Sequence, residues 1–323
     1  VGFLFIIIGN RNLAESIKIS VCICTFNEHH YLYDCLQSLV NQNVNINNYE
    51  IVVLDNSNNL NNNDYEKCIK LSKKYWNIKY IVKKTNGLSD ARNQCIKISN
   101  YDHLHFIDDD VTVENNFVES ILNVISRNPN IHIFGGKVIP NWKNCDRPCW
   151  LSDVGLSYLS MLDFGDKEIK FGEIDGMYLV GANIMFSRKI LNTYEGFNCN
   201  LGRNGNNASL LGAEENDLVF RAIKNNQLVK YAPSVMVRHI IRKERLNESW
   251  FIKRAAWQSV TDVITNTLYM KESGSWSNYK NGFTFLKESV NKLFRKSNNH
   301  YEFDEKIKTA KLLAFYMLNE FEE

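Results

Sequence analysis

The sequence predicts an α/β protein: a mostly parallel sheet flanked by helices, followed by a helical C-terminal extension. Three observations carry this prediction. Short β-rich runs alternate with amphipathic segments through the first half of the chain, as repeated β-α-β units do. Polar residues gather where those runs end, at Asn27 and Glu28, Asp55, Asn86, and Asp108, Asp109 and Asp110, and open α/β sheets bind ligands at that edge. Beyond Asn247 the strand pattern gives way to long helical segments. The expected division is therefore a sheet domain over residues 1–245 and a helical region over 246–323.

The elements follow in order. Residues 17–25 are β-rich and stop at Phe26-Asn27-Glu28. Residues 31–40 show helical apolar spacing through Leu32, Cys35, Leu36, Leu39 and Val40. A second strand over 50–54 runs into Asp55, and a helix follows over 64–75. The tract 56–63 holds six asparagines in eight residues and reads as a solvated loop. A third strand over 78–82 precedes Asn86-Gly87. The helix over 89–98 has Ser89 and Asp90 suited to its cap. The fourth strand, 103–107, delivers the aspartates. Residues 131–139 are strand-like around Gly135-Gly136, where glycine marks close backbone approach. Residues 140–175 look irregular, and 192–211 read as a Gly- and Asn-rich mobile loop. A helix over 215–225 and a short strand over 235–237 reaching His239 complete the domain. Helices are expected over 248–270, 279–294 and 301–321.

The chain has 323 residues, 44% hydrophobic and 23% charged, with a net charge of +2. This is ordinary globular composition, and the near-neutral balance argues against a nucleic-acid partner. The apolar run over residues 3–8 is far shorter than the ~20 residues a bilayer requires, and it lacks a basic leader. No transmembrane span is expected. The eight cysteines are scattered. Cys145-x3-Cys149 has no second pair nearby, so zinc is disfavoured and free thiols in a reducing cytoplasm are expected.

Three consecutive carboxylates at the end of a buried strand repel one another and call for a counter-charge. A divalent cation supplies one, and such a cation commonly shares its ligands with substrate phosphates. Strand alternation puts Asp108 and Asp110 on the same side. A calcium loop is excluded, because Val113 stands where that loop needs glycine and a strand precedes it. Glu214, Glu215 and Asp217 open a helix after Gly212-Ala213; a carboxylate there can act as a general base or simply favour the helix dipole. His239 is a candidate third metal ligand. Arg92 can pair with phosphate or with the aspartates. Arg238, Arg242, Lys243 and Arg245 form a basic run that faces either a phosphate or solvent.

The motif order resembles that of inverting family 2 glycosyltransferases with the GT-A (Rossmann-like) fold. The matching pieces are Val21-Cys22-Ile23-Cys24-Thr25-Phe26-Asn27-Glu28, Val52-Val53-Leu54-Asp55-Asn56-Ser57, Asn86-Gly87-Leu88-Ser89-Asp90-Ala91-Arg92-Asn93 and Phe106-Ile107-Asp108-Asp109-Asp110. Gly135-Gly136, Gly181-Ala182-Asn183, Gly212-Ala213-Glu214-Glu215-Asn216-Asp217-Leu218 and Val237-Arg238-His239 follow. The resemblance implies transfer of a sugar from a nucleotide-diphosphate donor, a UDP-sugar being favoured, to a saccharide or lipid-linked hydroxyl acceptor, with Mn2+ or Mg2+. It implies that Thr25, Phe26 and Glu28 line the base and ribose and that Asp55 accepts from the base. Asn86, Gly87 and Arg92 would lie near base and diphosphate, and Asp108 and Asp109 would join the nucleotide site. Asp110, with Asp108 and His239, would hold the metal, while Gly181 and Asn183 would border donor sugar and acceptor. The family usually has Glu-Asp where this chain has Glu214-Glu215. Glu215 therefore matches the base with an extra methylene, supported by Glu214 and Asp217.

A non-catalytic nucleotide- or carbohydrate-binding module of the same fold is the alternative. In the C-terminal region, Trp250, Phe251, Trp257, Leu286, Leu293 and Phe294 are expected to build a core or a homodimer contact. Lys287, Lys292, Arg295 and Lys296 offer a peripheral contact with an anionic membrane instead.

Overall fold

The structure, a computed structural model, describes residues 17–143, 145–203, 210–269 and 293–319. Four parallel strands form one side of its sheet: β1 (Ile19–Thr25), β2 (Tyr49–Asp55), β3 (Ile78–Val82) and β4 (His103–Asp108). Helices α1 (His29–Leu39), α2 (Asn63–Lys74) and α3 (Gly87–Ile98) alternate with them. β1 and β2 are buried along almost their whole length, which is why they are largely apolar; the buried Glu50 of β2 accepts from Ser20 Oγ of β1 at 2.7 Å. The Asn62 side chain caps α2 by accepting from the Tyr65 N–H at 2.8 Å. Asp64 and Glu66 in its first turn and Lys73 and Lys74 in its last complement the helix dipole. α3 starts two residues before the expected cap. Ser89 is buried within it, and Asp90 reaches back to accept from the Asn86 N–H at 3.0 Å.

Past β4 the chain forms β5 (Val111–Val113), α4 (Phe117–Arg127), β6 (Ile133–Asn141), the single turn α5 (Asp153–Leu156), β7 (Ile169–Lys170), β8 (Asn183–Ser187), α6 (Arg188–Thr193), α7 (Glu214–Lys224) and β9 (Val229–Ile240). Nine strands among the described residues make one mixed, mostly parallel sheet. Their order is β3-β2-β1-β4-β8-β6-β9-β5, with β7 paired on β9. β8 runs antiparallel to β4, so its first residues lie beside the end of β4. α3 packs on β1 and β2, and α4 on β9. Two features depart from the sequence reading. β9 is twelve residues long, because Pro233 and Ser234 interrupt its apolar pattern without ending it. α4, which buries Phe117, Val118, Ile121, Leu122, Val124 and Ile125, was not anticipated.

One compact unit contains the chain up to Pro140, Leu162–Asn200 and Glu214–Ile240; a second contains Asn141–Met161, Leu201–Ala213 and the chain from Ile241. The second unit holds α8 (Glu248–Tyr269) and α9 (His300–Asn319). Its core is aromatic: the Phe251 ring meets those of Trp150 and Phe303 at 5.7 and 5.3 Å. Lys306 and Ser297 donate to Glu248 beside it. Phe294 does not join this core, being 85% exposed. Residues 3–8 and Leu286, Lys287 and Lys292 lie outside the described residues. Among the described residues no helix is long and apolar enough to cross a membrane. All eight cysteines are free thiols.

Candidate active site

The turn from β4 to β5 sets the acidic triplet at the carboxyl edge of the sheet. β5 pairs antiparallel with β9, placing Val111 opposite His239, and the Ile240 N–H donates to the Asp110 carbonyl at 2.8 Å. This register brings His239 Nε2 to 3.2 Å from Asp110 Oδ1 and 3.9 Å from Asp108 Oδ2. One ligand atom from each of the three side chains falls within 4.8 Å of the others. Asp108 is a third exposed, whereas Asp110 and His239 are buried. Two carboxylates and an imidazole nitrogen fit a divalent ion. The oxygens suit Mg2+ or Mn2+, and the nitrogen tilts the set toward Mn2+.

Arg92, on the second turn of α3, links this trio to the helix α7. Its guanidinium lies 2.6 Å from Glu214 Oε1, 3.7 Å from Asp108 Oδ1 and 3.9 Å from Glu215 Oε2. It also donates to the Gly181 carbonyl at 3.4 Å and sits over the Phe197 ring at 5.5 Å. A Cβ on Gly181 would collide with this guanidinium, so glycine is required for the close approach. Of the two roles open to Arg92 in the sequence, pairing with carboxylates is the one seen.

Glu215 stands at the start of α7, with its side chain 14% exposed. The Gly181 N–H donates to its Oε1 at 3.2 Å. Burial and the neighbouring Glu214 carboxylate push its pKa up to about 7, against the opposing pull of Arg92. A carboxyl group that titrates near neutrality and retains solvent access is equipped to take a proton from a hydroxyl.

At the ends of β1 and β2, Thr25 Oγ1 donates to Asp109 Oδ2 at 2.6 Å, joining two of the expected nucleotide residues. Phe26 and Glu28 are half-buried beside them, Asn86 is exposed, and Gly87 opens α3 with φ +87°. Asn27 adopts φ 61°. Its N–H donates to Ser57 Oγ at 2.6 Å, and its Oδ1 accepts from the Asn58 N–H at 2.9 Å, tying the Asn-rich loop to the end of β1.

Residues 20–194, more than half of the chain, match the sequence model of Glycosyl transferase family 2. The chain belongs to that family. A Haloferax volcanii protein named glucosyl-dolichyl phosphate glucuronosyltransferase is 24% identical over 269 residues, covering 81% of this chain and 82% of that protein. A Staphylococcus aureus protein, poly(ribitol-phosphate) β-N-acetylglucosaminyltransferase TarP, is 28% identical over 36% of each chain. Among solved structures, the mannosyltransferase PcManGT of Pyrobaculum calidifontis, in complex with GDP-Man and Mn2+, superposes with a TM-score of 0.61. The match covers 99% of this chain and 95% of that one at 11% identity. Residues 1–349 of S. aureus TarS in complex with UDP-GlcNAc give a TM-score of 0.54 at 13% identity, covering 94% and 92%. The family 2 chain is thus a glycosyltransferase enzyme with the GT-A fold, as its motif order led us to expect.

Three of the expected site residues of this transferase are engaged within the fold. Asp55 has no exposure. Its carboxylate accepts from Tyr80 Oη at 2.7 Å and the Ser57 N–H at 2.9 Å, and faces His29 Nε2 at 2.8 Å, ordering the loop that follows β2. Asn183 is also fully buried. Its amide donates to the Lys137 and Val235 carbonyls, both at 2.9 Å, and its oxygen bonds His105 Nε2 at 2.8 Å, which locks the sheet. Asp217 is buried on the side of α7 that pairs with Arg221 at 2.7 Å, one helical turn on. Phe197, the ring beneath Arg92, was not foreseen; it lies within the tract read as a mobile loop, and only its aromatic character sets it apart there.

Proposed function

We propose that this transferase moves a sugar from a nucleoside-diphosphate donor to a hydroxyl acceptor by a single inverting displacement. Glu215 is the general base, and Asp108, Asp110 and His239 are the ligands of Mn2+ or Mg2+. The observation that carries the proposal is the Arg92 bridge, which holds a base near its working pKa and a metal-ligand trio around one guanidinium. When bound, the ion neutralises charge on the departing diphosphate. Glu215, held by the Gly181 N–H, takes the acceptor proton. Arg92 holds Glu214 and Glu215 in place, keeping the negative cluster compensated. Thr25, Phe26, Glu28, Asp109, Asn86 and Gly87 form the nucleotide edge. The ligands named for the two structural neighbours, GDP-Man with Mn2+ and UDP-GlcNAc, support a nucleotide-sugar donor, with a UDP-sugar our first choice. The name of the Haloferax relative supports a lipid-linked saccharide among acceptors. The extra methylene at Glu215 is the feature that favours a non-catalytic module, and the raised pKa of that carboxyl group weighs against it.

A thermal-shift panel of UDP, GDP and dTDP and their sugars, with and without Mn2+, tests this reading. One nucleotide series should stabilise the protein only when the ion is present, and Asp110→Asn should abolish that shift. Equal shifts with and without the ion, or none in any series, would overturn it.

A further inference from the structure

Two thiols meet beneath the carboxylate cluster. Cys24 is the penultimate residue of β1, beside Thr25 and in register with Asp108 of β4. Cys95 lies in α3, three residues after Arg92 and so on the same helical face. Their sulfurs are 3.8 Å apart. Cys95 is fully buried, whereas Cys24 is a partly exposed residue, so Cys24 is the member of the pair nearer to solvent. Cys22, on the same face of β1 as Cys24, also hydrogen-bonds Cys95 but is fully buried. Cys22 faces Ser99 Oγ at 3.4 Å, Cys68 donates to the His29 carbonyl at 3.4 Å, and Cys149 and Cys199 are exposed.

We propose that Cys24 and Cys95 form a disulfide when the protein meets a peroxide, and that this bond switches the transferase down by displacing Arg92. The Cys24 sulfur attacks one peroxide oxygen, giving a sulfenic acid and releasing water. The Cys95 sulfur then attacks the sulfenic sulfur, expelling the second water. Two thiols lose two electrons and two protons in all, and the peroxide is reduced to two waters. A disulfide holds its sulfurs about 2.05 Å apart, so the pair must close by ~1.8 Å, drawing α3 toward the end of β1. Arg92 travels with α3, and its 2.6 Å contact with Glu214 has little room for such a shift. The consequence for turnover rests on the function proposed above; formation of the bond does not.

The test treats the reduced full chain with hydrogen peroxide, blocks remaining thiols with N-ethylmaleimide, digests the protein and reads linked peptides by mass spectrometry. A Cys24–Cys95 peptide lighter by two hydrogens is the expected product. Turnover should fall by roughly ten- to a hundredfold, the scale of a 1 Å misplacement, and return with dithiothreitol. Cys24→Ser and Cys95→Ala should keep basal activity and lose the peroxide response. If peroxide modifies Cys149 and Cys199 while Cys24 and Cys95 are both recovered as separate blocked thiols, the disulfide is refuted; this readout needs no variant to fold and no known donor. A linked chain that turns over as fast as the reduced one would refute the switch alone.

Discussion

Arg92 Nη1 and Glu214 Oε1 lie 2.6 Å apart, both side chains 5% exposed, although 122 residues separate them in sequence. This pair does more than hold α3 to α7. It neutralises one of two adjacent glutamates and leaves the other, Glu215, with a raised pKa and an open face. Removing Glu214 leaves the buried Arg92 charge with only its longer approaches to Asp108 and Glu215, at 3.7 and 3.9 Å, and breaking a buried pair is costly. Glu214→Ala should therefore lower unfolding free energy by about 3–5 kcal/mol, read by urea denaturation of the purified enzyme.

Glu215 must be ionised to act as a base, so kcat/KM should rise with pH through about 7. Glu215→Gln should cost roughly 10²–10⁴ in kcat with nucleotide binding retained. Glu214→Gln removes the like charge and frees Arg92 for Glu215, so the midpoint of the pH profile should move down. The linkage has the opposite sign for stability. The folded pKa lies above the ordinary value of 4.5, so the folded state holds more protons across that interval and this group's contribution declines as pH rises from about 4.5 to 7. A Glu215→Gln variant should lose that part of the pH dependence of Tm.

His239 and Asp110 should act as a unit toward the ion. His239→Ala and Asp110→Asn should each weaken Mn2+ binding by at least about tenfold, measured by calorimetry in the presence of UDP, with little change in far-UV circular dichroism. Dialysis against a chelator should remove turnover, and Mn2+ should restore it.

Two glycines separate activity from stability. Gly181→Ala would drive its methyl into the Arg92 guanidinium, the end of a side chain that can yield, so kcat should fall while Tm changes little. Gly136→Ala would drive its methyl into the Val235 carbonyl and the Asn183 amide, neither of which can retreat. It should destabilise the fold by about 1–3 kcal/mol.

Asn183→Leu tests the structural reading of that residue. It strands the His105 nitrogen and two carbonyls, each costing about 1–3 kcal/mol if left unsatisfied. Tm should drop, whereas kcat/KM per folded molecule should hold. A collapse of kcat at unchanged Tm would assign Asn183 to the sugar site.

Much of the sheet was legible because parallel strands buried on both faces must be largely apolar, as β1 and β2 are apart from the Ser20–Glu50 pair at their starts, and because strand ends carry polar residues. Alternation brought Asp108 and Asp110 together in the sequence reading, whereas in the structure β4 ends at Asp108 and the turn into β5 places Asp110. Partner choice was not legible. Nothing local to Asp55 announces that Tyr80 and His29 will enclose it, since those contacts depend on how α1 and β3 meet β2. The partners of Asn183 were hidden for a related reason: the motif places its backbone by the site, and β8 turns its side chain inward toward His105. The stripe of α4 is present at helical spacing in Phe117, Ile121 and Ile125, but the acidic triplet just ahead of it drew the reading of this segment instead.

The continuity of β9 sets a rule for engineering this scaffold. Val235, whose carbonyl receives the Asn183 amide, and His239 share one side of an unbroken strand. Inserting or deleting a single residue between them would reverse the imidazole's direction. Variant libraries can therefore diversify the outward positions Ser234 and Arg238 freely, provided the spacing is left untouched.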